Sequence, residues 1–441
     1  MINNNEIIEQ VKNAGVVGAG GAGFPAHIKL NSKCDVVIAN FAECEPMLFT
    51  NQALILTYAD EVLKGLQLAM QATGAKKGVI ALKKKYEDCR KVLLDKIKNY
   101  DNMEIFELSD FYPAGDEHVI VNEVLGKKIP MAGIPLDVGV VVHNVETLFN
   151  IKKAYYDKLP VTEKFVTVGG AVKYPMALKV PIGMKFNELL DLSGGPITKD
   201  FVLIDGGPMM GKEVGLDDIV TKTTSALLVV PVNTLPYNSR RIKIDVQLKR
   251  ARTACCQCRI CTDLCPRYLL GHKLEPHKIM RTVSFGLMDA ESVTNSLLCS
   301  ECGLCEVTCP MGLSPRSINA TIKKILSEKK VRYNKTSVEV ERPERESRKF
   351  SAKKLLIRLG LSDYYQHVDY TDIKIKIREV KLLLKQHAGS PATPVVKLGD
   401  RVNKNDVIAK VQEGQLGANI HASIDGTVVK IDETSIVIKS E

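Results

Sequence analysis

Cys255-Cys-Gln-Cys258-Arg-Ile-Cys261-Thr-Asp-Leu-Cys265-Pro266 and Cys299-Ser-Glu-Cys302-Gly-Leu-Cys305-Glu-Val-Thr-Cys309-Pro310 spell one pattern twice, C-x2-C-x2-C-x3-C-P. Three thiolates at this spacing wrap one face of an iron-sulfur cubane. The Pro after the fourth Cys turns the chain so that the last thiolate reaches further. Zinc knuckles are the alternative use of so many thiols, but zinc takes four ligands as two spaced pairs, and a doubled run of this kind is not that pattern. Where two such cubanes share a domain, the fourth Cys of each run ligates the other cluster. That rule assigns Cys255, Cys258, Cys261 and Cys309 to one [4Fe-4S] cluster and Cys299, Cys302, Cys305 and Cys265 to its neighbour. The chain is therefore expected to move single electrons.

Around this stretch lie 441 residues, 45% of them hydrophobic, enough to bury several cores and to make about three domains. Twelve Cys, most of them in the two runs, and no charged-then-apolar leader point to a reducing cytoplasm rather than a disulfide-bonded secreted fold. A bacterial microcompartment or the periphery of a membrane complex fits that setting equally. The longest apolar runs, such as 226–232, fall short of the ~18 residues a membrane span needs, so no integral span is expected. A net charge of +10 raises nucleic acid as a partner, yet the Lys and Arg are scattered and no basic run carries interleaved aromatics. An acidic protein partner is the more economical reading of the charge, beside that of an ordinary solvated surface.

Upstream, residues 5–15 read as a short helix running into Gly15-Val-Val-Gly18-Ala-Gly20-Gly21-Ala-Gly23-Phe24-Pro25-Ala-His27-Ile-Lys29. Gly18, Gly20 and Gly23 satisfy G-x-G-x-x-G, which brings backbone N–H groups toward a phosphate. Alone the signal is weak, because the usual fingerprint comes after a strand and Pro25 restricts the start of the next element; a tight structural turn is the alternative. Lys29 supplies a cation suited to a phosphate. Residues 36–39 form a short buried strand, and Asn40-Phe-Ala-Glu43-Cys44-Glu45-Pro46 lies at its carboxyl end, where open α/β sheets bind ligands. Helical patterns at 58–72 and 86–99 alternate with strands at 78–82 and 138–142, as in an α/β domain. A turn, Tyr112-Pro-Ala-Gly115-Asp116-Glu117-His118, carries two acids and an aromatic. The strand at 138–142 delivers His143-Asn144-Val-Glu146-Thr147 at its own carboxyl end.

Together, in this order and ahead of the doubled Cys motif, G-A-G-G-A-G-F-P, N-x-A-E-x-E-P, Y-P-A-G-D-E and H-N-V-E-T resemble one family. It is the NADH-binding flavoprotein group that includes the flavin subunit of respiratory complex I and the C subunit of the Rnf complex. Within it the chain is most similar to the cobalamin reductases of propanediol-utilising microcompartments and their relatives associated with proline reductase. The resemblance spans nearly the whole chain. It implies FMN held by Gly18, Gly20, Gly21 and Gly23, by Lys29 and Asn40, by Tyr112, Gly115, Asp116 and Glu117, and by Asn144 and Thr147. NADH would stack over Phe24 near Glu45 and Glu117, with Glu43 among the cofactor-binding residues. Two positions depart from complex I: Ala19 stands where it carries Arg, and His143 where it carries Asn.

The same resemblance organises the rest as a multidomain α/β chain. Residues 1–160 would form a Rossmann-like FMN/NADH domain, 161–230 an SLBB-type β-grasp domain serving as a spacer, and 231–330 a helical two-cluster ferredoxin-like domain. Residues 331–385, charged and without apolar period at their start, read as a linker. Residues 386–441 show short alternating strands and read as a barrel-sandwich hybrid of the biotinyl or lipoyl type. Its tip at 412–419 holds no attachment Lys, so a docking role is expected rather than covalent cofactor chemistry. Of the four other cysteines, Cys34, Cys44, Cys89 and Cys256, Cys44 lies between Glu43 and Glu45, whose charge disfavours a thiolate, and no catalytic thiol is expected; Cys256 adjoins a ligand and could substitute for it after damage, but the spacing selects Cys255.

Hydride donors deliver two electrons and a cubane accepts one; flavin converts between them. The expected activity is electron transfer from NADH, through FMN and both clusters, to a protein-bound acceptor: a corrinoid enzyme, an adenosyltransferase or a reductase subunit. No general acid or base is assigned. The alternative is a non-catalytic relay or scaffold subunit of an Rnf-like or proline reductase-type complex.

Overall fold

A computed structural model describes residues 3–288 and 290–440. Strands β1 (Val36–Phe41), β2 (Lys77–Lys83) and β3 (Met103–Leu108) are followed by the two-residue β4 (Phe111–Tyr112) and by β5 (Val140–Asn144). Four of them form a parallel sheet in the order β3-β2-β1-β5. Central β1 is apolar on both faces, as a parallel strand covered by helices requires. From β1 the chain steps outward through β2 to β3, then returns to the far side of β1 as β5. The carboxyl ends of β1 and β5 therefore flank the point where strand order reverses, the crevice in which such sheets bind ligands. Helix Thr50–Thr73 begins well before the amphipathic pattern at 58–72, because Asn51, Gln52, Leu54 and Ile55 in its opening turns are all buried and no solvent face interrupts them.

A second sheet comprises β6 (Glu163–Gly170), β7 (Met176–Pro181), β8 (Phe201–Asp205), β9 (Lys212–Val214) and β10 (Ala226–Pro231). Its order is β7-β6-β10-β8-β9, and only the β6–β10 pair is parallel. Helix Phe186–Leu192 packs on it through Phe186, Leu189 and Leu190. The buried pair Lys164–Glu146 joins this sheet to the helix after β5. The cysteine region is helical, as predicted: Ile244–Ala254, Pro276–Ser284 and Pro315–Glu328 share a core of Ala251, Ile279, Met280, Ile318 and Ile322.

The stretch 331–385 differs from the linker expected there. Strand β11 (Phe350–Ser351) pairs antiparallel with β4. Helix Ala352–Leu359 comes next, and its Leu355 and Leu359 enter a core with Leu304 and Leu228. The polar composition of 331–349 conceals this, since the apolar period starts only at Phe350. Farther on, Tyr370 bridges Ala177 of β7.

The tail comprises β12 (Glu379–Leu383), β13 (Thr393–Pro394), β14 (Arg401–Val402), β15 (Val407–Lys410), β16 (Ile420–His421), β17 (Gly426–Ile431) and β18 (Ser435–Lys439). They make two antiparallel sheets, β12-β18-β17-β14 and β13-β15-β16. Residues 412–416 of the tip are exposed, whereas Gly417 and Ala418 are buried and Asn419 reaches the body of the chain. Lys222, on the loop before β10, is buried and donates from Nζ to Gly15 O at 2.7 Å and to Asn419 O at 2.8 Å; burial lowers its pKa to about 7. Ala388 N donates to Gly23 O at 2.9 Å. Gly23 has φ +62°, and a Cβ there would lie 3.1 Å from Thr223 and 3.2 Å from His387 Cα, so only glycine lets three parts of the chain meet at this point.

Candidate functional site

Asn40 and Asn144 stand in register across the β1–β5 crevice. The glycine loop folds over its mouth, with Gly18 N donating to Phe24 O at 2.9 Å and Gly23 N to Gly18 O at 3.2 Å. Ala19 N donates to Thr147 Oγ1 at 2.9 Å, which fastens the loop to the helix after β5. At the exposed tip, the amides of Gly20, Gly21 and Ala22 find no acceptor among the described residues. Gly20 lies against Asn144, whose side chain would be 3.5 Å from a Cβ at that position. Lys29 Nζ stands beside the crevice, donating to Glu117 Oε1 at 2.9 Å and Val142 O at 3.0 Å. His143 is buried and neutral, its pKa lowered to about 3 by burial and then by Lys29, and its Nε2 has no partner among the described residues. Free amides, a cation and an orphaned ring nitrogen around one crevice are donors held ready for an anionic, hydrogen-bonding ligand, and FMN fits that set.

The acid loop is stitched to the Tyr112–Glu117 turn: Asn40 Nδ2 donates to Gly115 O at 2.9 Å, and Gly115 N to Cys44 Sγ at 2.6 Å. Glu43 and Glu45 do not stand free in the crevice. Glu43 accepts from Asn51 N and Gln52 Nε2, each at 2.8 Å, and so anchors the start of helix Thr50–Thr73. Glu45 accepts from Met209 N at 2.9 Å and Met210 N at 2.8 Å. Gly207 allows this approach, since a Cβ there would fall 2.1 Å from Glu45 Oε2. The second sheet is thus more than the spacer expected, because its β8–β9 turn seats an acid of the flavin domain. The acid loop also lines, with Lys83, Lys85, Tyr86 and Asp110, a cavity of about 490 Å³ walled by helix Ala352–Leu359. Sequence reasoning missed these lining residues, which carry no motif.

Burial pushes both carboxyls up to about 7. The folded state therefore binds these protons more tightly than the unfolded chain, where Glu titrates at about 4.3. Stability is expected to fall as pH rises from there through about 7. Glu45→Gln should keep an acceptor for Met209 or Met210 and flatten that decline. Glu45→Ala should cost about 1–3 kcal/mol by orphaning the buried Met209 amide. Urea unfolding at about pH 5 and pH 8 reads both; an equal decline in wild type and Glu45→Gln would exclude Glu45 as its source.

The turn that closes the crevice also touches the cysteines. Tyr112 Oη donates to Cys302 O at 2.6 Å. Asp116 Oδ2 accepts from Arg267 at 2.9 Å, two residues after Cys265, while Asp116 Oδ1 caps helix Glu117–Leu125 through the His118 and Val119 amides. Burial works against ionisation of Asp116, but Arg267 and then His118 hold its carboxyl below the usual range. His118 Nδ1 lies 3.3 Å from His272 Nε2, and burial lowers these imidazoles to about 3 and about 4.

The eight cysteines fall into two neighbourhoods. Cys309 acts electrostatically on Cys258 and Cys261, while Cys299 acts on Cys265, Cys302 and Cys305. Burial pushes the Cys261 and Cys265 thiols up to about 12, so such side chains persist as thiolates only when a metal takes the proton's place. Among the described residues no three His, Cys, Asp or Glu converge on a single-ion site, and a cubane asks for none, since each of its four thiolates binds a different iron. Soft sulfur donors in sets of four fit such clusters. Cys44 and Cys89, raised to about 11 and about 12 by burial, are protonated at neutral pH and poorly nucleophilic.

Residues 11–153 match the Nuo51 FMN-binding domain, 165–213 the SLBB domain, 254–314 the 4Fe-4S dicluster domain and 370–441 the RnfC barrel sandwich hybrid domain. The chain is 44% identical over 441 residues to the cobalamin reductase PduS of Salmonella typhimurium, covering 98% of this chain and 96% of that one. The cobalamin reductase PduS of Citrobacter freundii is 44% identical over 438 residues, with the same 98% and 96% coverage. One component of the Na(+)-translocating ferredoxin:NAD(+) oxidoreductase complex of Acetobacterium woodii is 35% identical over 269 residues, covering 60% of this chain and 58% of that one.

Proposed function

The chain belongs to the cobalamin reductase PduS family, and from that premise we propose that it passes electrons from NADH, through FMN and two [4Fe-4S] clusters, to a corrinoid held by a partner protein. Bound FMN supplies the conversion between two-electron and one-electron transfer. The observation that carries this reading is continuity. One turn, residues 112–117, supplies Glu117 to Lys29 at the crevice, Tyr112 to the backbone of Cys302, and Asp116 to Arg267 beside Cys265.

In this reading the tip amides of Gly20, Gly21 and Ala22, with Lys29, hold the FMN phosphate. Asn40, Asn144 and His143 orient the rest of the flavin from the strand ends. Phe24 and Glu117 border the approach of NADH, whereas Glu43 and Glu45 act as positioning residues that fix the loops. Cys265, Cys299, Cys302 and Cys305 hold the cluster nearer the crevice, and Cys255, Cys258, Cys261 and Cys309 the other. The partner we favour is a corrinoid enzyme or an adenosyltransferase. Twelve unpaired cysteines support a reducing compartment, either the cytoplasm or a microcompartment lumen. No described helix is long and apolar enough to cross a membrane.

Retention of flavin tests the site. Anaerobically purified wild type should carry about one FMN per chain, and Lys29→Ala should bind it roughly 10- to 150-fold more weakly, the worth of a charge-assisted contact of about 1.5–3 kcal/mol. Fluorescence titration of the flavin-stripped proteins measures the ratio. Equal affinity would remove Lys29 from the site.

A further inference from the structure

The two cysteine neighbourhoods lie at different depths. Cys265 and Cys305 are buried, as is Cys261 of the other set, and the Cys302 carbonyl accepts from Tyr112 of the flavin turn. In contrast, every residue from Cys256 to Ile260 is exposed, as are Pro310, Met311 and Gly312 after Cys309. The set with Cys265 thus has no exposed member and touches the flavin turn, whereas the other reaches the surface at Cys258 and through the exposed residues beside it.

The outer set is ringed in an uneven way. Phe285 is 51% exposed, Leu287 62%, Met311 44% and Ile260 36%, far more apolar surface than large side chains in one small region usually show. Their placement around the same cysteines comes from the contacts. Ile260 lies between Cys258 and Cys261, and Met311 stands two residues after Cys309. Arg281 donates to Cys255 O at 3.5 Å while its guanidinium stands 5.3 Å from the Phe285 ring centre. Around this apolar centre are exposed cations: Lys249, Arg250 and Arg252 on helix Ile244–Ala254, and Arg259 between the cysteines. Arg250 also donates to Gly312 O at 3.2 Å, which ties that helix to the second run. Among the described residues the acids of this region include Asp245 on the first turn of the same helix, and Asp263, which Arg259 and Arg348 hold at 3.7 and 3.6 Å.

We propose that this face, formed by Ile260, Phe285 and Met311 within a rim of Arg250, Arg252 and Arg259, is the docking surface for an acidic redox protein. It rests on the electron-transfer reading above and adds where the partner sits and what charge it carries. An apolar centre with a charged rim is the anatomy of a transient protein interface. A cationic rim selects an anionic partner and speeds its arrival. Docked there, the partner's acceptor lies over the outward ligand set, the shortest way out of the molecule.

The test uses the anaerobic holoprotein and two probes of opposite charge, acidic flavodoxin and basic cytochrome c, with binding read by titration in the absence of NADH. Wild type should bind flavodoxin, weakening about ten-fold or more between roughly 0.02 and 0.2 M salt, and should not bind cytochrome c. The double variant R252E/R259E should lose flavodoxin binding about ten-fold at low salt. F285S should lose it at every salt concentration, and both variants should keep the wild-type cluster spectra. Unchanged flavodoxin binding in both variants overturns the proposal, as does retention of the protein by phosphatidylglycerol vesicles with no affinity for flavodoxin. Failure of NADH to reduce the protein would strike the electron-transfer reading instead, since binding is measured without it.

Discussion

Arg267→Ala is expected to lower the free energy of unfolding by about 3–5 kcal/mol, the cost of leaving one partner of a buried ion pair uncompensated. The Arg267 and Asp116 side chains are 13% and 8% exposed. Without the guanidinium, the carboxylate is left with the two amides it caps and little water. The loss should also separate two cofactor regions, since Asp116 belongs to the flavin turn and Arg267 to the cysteine run. The pH dependence carries a sign. A carboxyl held below its unfolded value of about 3.9 stabilises the fold above that pH, and the stabilisation is lost as pH falls through the folded pKa. Wild type should therefore shed stability on the acid side, and the variant should lack that part of the fall. Arg267→Lys should recover only part of the loss, because an ammonium cannot reproduce the guanidinium fork. Urea unfolding from about pH 3 to 8 measures all three; a loss under about 1 kcal/mol in Arg267→Ala would mean that the pair does not hold the junction.

Cys265→Ala is expected to abolish the cluster whose other ligands lie in the second run, at 299, 302 and 305. The neighbourhoods described above are the structural reason, because Cys265 senses Cys299 while Cys309 is sensed by Cys258 and Cys261. Iron should fall from about eight to about four atoms per chain. Crossing also ties distant segments, so loss of one ligand should loosen the domain as a whole. Electron paramagnetic resonance of the dithionite-reduced proteins separates the cases. Combining Cys265→Ala with Cys258→Ala should disturb both signals; loss of one with the other intact would show that each run serves its own cluster.

What could be read from sequence divides along physical lines. The dicluster region was legible because the spacing within each cysteine run is local and written in the chain, and the 4Fe-4S dicluster domain match falls on both runs. The crevice was legible for a related reason: ligand loops sit at the carboxyl ends of parallel strands, and β1 and β5 announce themselves by apolar runs. Side-chain direction was not. Glu43 and Glu45 occupy the expected loop, but Glu45 is claimed by amides at 209 and 210, far along the chain, and Glu43 by its own adjoining helix. Lys222, in Thr-Lys-Thr-Thr, has the sequence of a surface turn yet is buried between three segments. The edge strand β3 was missed because Met-Glu-Ile-Phe-Glu-Leu breaks the alternation at its centre, where Ile105 and Phe106 are adjacent. For helix Ala352–Leu359 the apolar spacing exists, but its tertiary partner, β4, gives no hint in the sequence.

In the proposed function NADH, flavin and clusters form one conduit. Anaerobic titration of the purified holoprotein with NADH, monitored by visible absorption and electron paramagnetic resonance, tests it most directly. NADH alone should bleach the flavin band and reduce at least one [4Fe-4S] cluster. A protein in which dithionite reduces the clusters while NADH leaves flavin and clusters oxidised would contradict it.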